Sequence, residues 1–131
     1  MLYTVGLTSI EKDYTMAKPV IYGIKNCNTM KKTFDWFDDN GLEYEFYDYK
    51  KQPVDTAVIK RAIKEYGWDK VINTRGMTWR KVDEDTKQAM NDDNAVHLAV
   101  EKSSVIKRPL IVAGDDVLLG FDDASLRERF V

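Results

Sequence analysis

The chain reads as an α/β protein in which one mixed β-sheet is covered by helices, built as a βαβ unit, a helical block and a closing ββα unit. Three observations point there. Two strand-like runs, residues 19–24 and 43–49, flank a segment of helical period; residues 54–105 carry helical patterns without strand alternation; and two apolar runs follow, joined by a turn signal.

The elements follow in order. "PVIYGI" (19–24) is short, apolar and β-branched, and "EYEFYDY" (43–49) alternates acidic and aromatic residues, so both are predicted strands. Between them Met30, Phe34 and Phe37 recur at helical spacing, Asn26 or Asn28 can cap the start, and Asn40-Gly41 supplies a left-handed stop. A strand, helix and strand this close form a βαβ unit, which makes the two strands parallel. From Pro53 onward, Val58, Ile59, Ala62, Ile63 and Tyr66 share one helical face, with Asp55 as cap and Gly67 as stop. "DEDTKQAM" and "NAVHLAVEK" predict two shorter helices, and "NTRGMTWRK" (73–81) reads as irregular. "PLIVA" and "VLLG", joined by Gly114-Asp115-Asp116, predict a hairpin. Asp122 or Asp123 then caps a last helix that carries Leu126 and Phe130 inward. This order matches a thioredoxin-like fold with a helical insertion at residues 54–105. Met16 stands before a natural strand start, so residues 1–15 are expected to be an extension outside the fold and 16–131 a single domain.

A chain of 131 residues is long enough for one hydrophobic core without disulfides or metal. A net charge of -2 lacks the basic field that holds a phosphate backbone, so nucleic acid is not the expected partner. One cysteine, Cys27, forms no internal disulfide and suggests a reducing compartment, hence the cytoplasm. No apolar run reaches membrane-spanning length and the first residues lack a leader pattern, so neither export nor anchoring is expected.

The cysteine lies in "YGIKNCNTMKK", where a strand gives way to a helix. A thiol at a helix start faces unpaired N–H groups and the positive end of the helix dipole, both of which favour the thiolate. Such surroundings bring a cysteine pKa from roughly 8.5 to between about 3.5 and 7.5. Lys25, Lys31 and Lys32 add positive charge; at a helix start this opposes the dipole unless a negative group offsets it. The competing reading is that Cys27 merely packs, as cysteine often does. Against it stand Arg75, Arg80 and Arg108, which fall in segments read as loops or strand edges. Arg108 precedes Pro109 directly before a strand, a rigid junction compatible with a cis bond.

Other motifs fail on spacing. Met30 fills the second position of C-x-x-C, Thr33 stands where a cysteine phosphatase loop needs arginine, and one Cys with one His, His97, makes no zinc site. No glycine-rich nucleotide signature occurs.

"YGIKNCNTMKK", "NTRGMTWRK", "IKRPL" and "LLGF", in this order, resemble the ArsC/Spx family, and best its YffB-like branch of small arsenate reductase homologues. The resemblance runs from residue 19 to 130. It implies a thioredoxin-like fold and a thiol-dependent oxidoreductase with Cys27 as the nucleophile, resolved by an external thiol. Arg75 and Arg108, with Arg80 and Lys25 as further candidates, would hold an oxyanion or glutathione; Asn26, Thr29, Lys31, Lys32 and Pro109 would support the site. Glutathione is the implied co-substrate and glutaredoxin a partner, with no bound cofactor or metal, a small oxyanion or oxidised thiol as substrate, and a monomer as the expected state. One departure is Phe121, where arsenate reductases of the family carry a further arginine, whose bidentate contacts an aromatic ring cannot make. The alternatives are an arsenate reductase proper, or an Spx-like redox regulator that binds RNA polymerase.

Overall fold

The computed structural model describes residues 18–131, so the expected extension at residues 1–15 lies outside the described residues. β1 (Val20–Gly23), α1 (Asn28–Asp39) and β2 (Glu45–Asp48) form the βαβ unit, with β1 and β2 parallel. α2 (Thr56–Tyr66), α3 (Trp68–Val71), α4 (Met77–Arg80), α5 (Glu84–Gln88), α6 (Asp92–Glu101) and a 3-10 turn (Ser103–Val105) form the helical block. β3 (Leu110–Ala113), β4 (Asp116–Leu119) and α7 (Asp123–Phe130) close the chain. The sheet order is β2-β1-β3-β4, with β3 antiparallel to β1 and to β4, which is the thioredoxin-like arrangement the sequence predicts.

Period-two alternation sorts the strand residues between two cores. Tyr22, Leu110 and Val117 face α2 and α6, while Ile21 and Ile111 face α1 and α7. Met30 and Phe37, one face of α1, are fully buried. α1 stops as predicted: Gly41 is left-handed at φ 66, Gly41 N–H donates to Asp38 O at 3.1 Å and Leu42 N–H to Phe37 O at 2.9 Å, the double bond of a Schellman motif. α7 is tied to α1 by Trp36 Nε1, which donates to Asp123 Oδ1 at 2.7 Å.

Three details differ from expectation. The stretch 73–81 is not wholly irregular, since Met77–Arg80 forms a single turn of helix, too short for a period to show. The hairpin loop is Gly114-Asp115 alone, because Asp116 already pairs with Ala113; Gly114 takes φ 59 and Asp115 stays at negative φ, as in a type II′ turn. Tyr66, on the apolar face of α2, is 37% exposed, and its hydroxyl donates to Val117 O at 2.6 Å.

Candidate active site

β1 runs out at Gly23, and α1 begins at Asn28 after four intervening residues, so the helix start sits over the end of the central strand pair. Cys27 is itself the N-cap, with extended backbone at φ -151 and ψ 130; its carbonyl accepts the first helical bond, from Lys31 N–H at 2.9 Å. This corrects the expectation that Asn26 or Asn28 caps the helix: Asn28 is the first helical residue, and no side-chain cap bond closes. A side-chain oxygen at the cap would have taken one of the free N–H groups. Left free, those groups serve the sulfur. Partial burial is the largest single influence on the thiol and pushes its pKa up. The N–H groups of Met30 and Thr29 and the Arg108 guanidinium together outweigh it and hold Cys27 below the ordinary thiol value. The amides act as oriented dipoles short of full hydrogen bonds, since the sulfur closes none as a cap.

The lysines are placed differently from expectation. Lys31 pairs with Asp35 at 3.3 Å on the exposed face of α1, so Asp35, rather than a thiolate, offsets its conflict with the dipole. Lys25 and Lys32 are exposed, and none of the three figures among the influences that lower the thiol.

Arg108 reaches the sulfur through strand register. Tyr22 of β1 faces Leu110 of β3, so the residues just before Leu110 run beside the loop that leaves β1. The Arg108–Pro109 bond is cis, Pro109 is buried, and its carbonyl accepts from Gly120 N–H at 2.8 Å. The guanidinium is steered by the helical block: Arg108 Nη1 donates to Ser104 O at 3.1 Å, and Ser104 Oγ accepts from Thr78 Oγ1 at 3.2 Å. The block itself is clamped to this segment by the Ile72–Ile106 bridge and by Lys107 N–H donating to Val71 O at 2.7 Å. Sequence reasoning missed Ser104 and Thr78. Only the four-residue spacing from Ser104 to Arg108 hints at the first, because a backbone carbonyl has no sequence signature.

Arg75 and Arg80 are both exposed. Arg75 sits in the Asn73–Gly76 turn, with its N–H on Asn73 Oδ1 at 3.3 Å, and lines an open groove of about 650 Å³ with Tyr66, Lys70 and Lys107. The groove at the thiol, of about 710 Å³, is lined instead by Lys25, Asn26, Asn28, Lys31, Phe34 and Asp35. The structure thus brings Arg108 to Cys27 and leaves Arg75 in a separate concavity and Arg80 at the end of α4. Phe121, just beyond β4, is half-buried and packs with Cys27 and Phe34 on the core of Ile21, Phe37 and Ile111. Among the described residues, no cluster of His, Cys, Asp and Glu suits a metal ion, and no helix is long and apolar enough to cross a membrane.

A free cysteine at a helix start, an arginine held beside it and a thioredoxin-like sheet are the features now in place, and residues 22–129 match the ArsC family. The chain belongs to the ArsC family. This ArsC-family chain is similar to an uncharacterized protein of Haemophilus influenzae, at 34% identity over 110 residues, 84% of this chain and 96% of that one. It is also similar to the solved structure of the YFFB protein, at 37% identity and a TM-score of 0.84 over 87% of this chain and 100% of that one. A third similarity is to the solution structure of an arsenate reductase (ArsC) related protein from Brucella melitensis, at 36% identity and a TM-score of 0.67 over 86% and 93% of the two chains. All four motifs of this ArsC-family member, including Cys27, Arg75 and Arg108, fall inside the matched span.

Proposed function

We propose that this arsenate reductase-like chain is a monothiol, glutathione-dependent reductase of oxidised thiols, with Cys27 as its nucleophile. The observation that carries the reading is the placement of the one cysteine at the uncapped start of α1, partly exposed and lowered in pKa beside Arg108. The Cys27 thiolate attacks one sulfur of a substrate disulfide; a new S–S bond forms as the old one breaks, and the bonding pair leaves on the departing sulfur, which takes a proton from solvent. A glutathione thiolate then attacks the mixed disulfide, restores the Cys27 thiolate and carries the substrate sulfur away in a new disulfide. No second cysteine competes for that step.

Arg108 stabilises the thiolate and the charge on the leaving sulfur, and Arg75, in its separate groove, is suited to a carboxylate of glutathione. Phe34 and Phe121 favour sulfur and methylene groups over a tetrahedral oxyanion, which ranks disulfide reduction above arsenate reduction. The lone thiol likewise ranks the Spx-like regulator lower, since a C-x-x-C switch is missing. Glutathione as co-substrate goes with a cytoplasmic monomer and with glutaredoxin as its partner reductant.

The test is NADPH consumption coupled to glutathione reductase, with a mixed disulfide of glutathione as substrate. Turnover should vanish in Cys27→Ser with the circular dichroism spectrum unchanged. Turnover that persists in that variant removes the reading. Consumption that depends on arsenate, with glutaredoxin added, assigns arsenate reduction instead.

A further inference from the structure

Two buried polar atoms of the described residues are left without a hydrogen-bond partner: the hydroxyl of Tyr49 and Nε of Arg108. They flank the same strand end. Tyr49 follows β2 directly, and its N–H donates to Gly23 O at 2.9 Å, the last residue of β1; Arg108 arrives at that end from the other side, two residues before Leu110. The Tyr49 side chain is 7% exposed and packs beside the Tyr22–Tyr47 pair, with ring centroids at 6.4 and 6.3 Å. A buried hydroxyl left unpaired is destabilising, so a phenylalanine would serve packing better here. One orphan is a pure donor and the other can accept, and the Arg108 charge already acts on the Tyr49 hydroxyl, so the two complement each other.

We propose that Tyr49 is a positioning residue for Arg108, its hydroxyl taking the guanidinium Nε–H so that the opposite edge stays turned toward the Cys27 sulfur. Ser104 O holds Nη1 and Tyr49 holds Nε, which leaves Arg108 one orientation in place of several. The inference rests on the reductase reading only in that it concerns the same thiol. The charged and titratable groups that act on Tyr49 are Tyr22, Tyr47, Arg108 and Asp55; those around Cys27 are Arg108, Lys25, Lys31 and Asp35.

The experiment is the pH dependence of Cys27 alkylation by iodoacetamide in the full chain, for the unaltered protein, Tyr49→Phe, Arg108→Gln and the double variant. Tyr49→Phe keeps the ring and should raise the alkylation midpoint by about half a unit, about a threefold loss of thiolate at pH values below the midpoint. The double variant should go no further than Arg108→Gln alone. A Tyr49→Phe midpoint equal to that of the unaltered protein, with Arg108→Gln raised, overturns the proposal while leaving the reductase reading intact. An unmoved midpoint in Arg108→Gln overturns it too, since Tyr49 would then have nothing to act through. In the unaltered chain the Arg108 Nε–H proton resonance should shift as Cys27 titrates; a resonance that does not move counts against the proposal independently of any variant. Failure of the reductase reading is seen elsewhere, as disulfide turnover that survives Cys27→Ser.

Discussion

Cys27 balances burial against one guanidinium and two amides, and the balance falls on the side of the thiolate. Arg108→Gln should therefore raise the alkylation midpoint, whereas Lys31→Gln should move it by less than about 0.2 of a unit, because exposed charge is screened and Lys31 is turned to Asp35. The lowered pKa also couples to folding. A group depressed below its unfolded value, here 9.0, contributes stability that is fully present above that value and is lost as pH falls through the folded one. Urea midpoints should accordingly rise, as pH climbs toward 9.0, more in the unaltered reduced chain than in Cys27→Ser; equal rises would show that the sulfur is not linked to folding. The thiol's place was legible because strand-to-helix junctions have a sequence signature. Its real partners were less so. Lys31, close by in sequence, is taken up by Asp35, and the arginine that reaches the thiol is 81 positions away.

The elements divide into those that carry the thiol and those that steer the arginine. Gly23 belongs to the first group: a Cβ there would lie 2.6 Å from Met30 Sδ and 2.7 Å from its Cε, and Met30 is fully buried. Gly23→Ala should displace the start of α1, at roughly 1–3 kcal/mol by denaturant unfolding, and raise the alkylation midpoint as well. Asp55→Ala is the contrasting case. Its carboxylate caps α2 by accepting from Ala57 N–H at 3.1 Å and Val58 N–H at 3.4 Å, so its loss should cost about 1 kcal/mol and leave the thiol's titration alone. The βαβ unit, the α2 cap and the hairpin were legible because period and turn chemistry are local. α4 and the Thr78–Ser104–Arg108 chain were not, because a four-residue helix has no period and the chain closes on a backbone oxygen.

Across the whole molecule, tyrosines set the alkaline limit. Tyr49, Tyr22, Tyr44 and Tyr66 are all raised above their ordinary value, chiefly by burial. Above about pH 10 the unfolded chain therefore holds fewer protons than the folded one, and stability falls as pH rises. Tyrosinate absorbance should appear together with loss of circular dichroism, and Tyr49→Phe should unfold at higher pH; separate transitions would refute the linkage. The uncapped start of α1 has a further consequence. A neutral sulfur draws less on the amides of Thr29 and Met30 than the thiolate does, so alkylation of Cys27 should loosen the helix's opening turn. Deuterium uptake at those two amides should then be faster in the alkylated chain than in the reduced one.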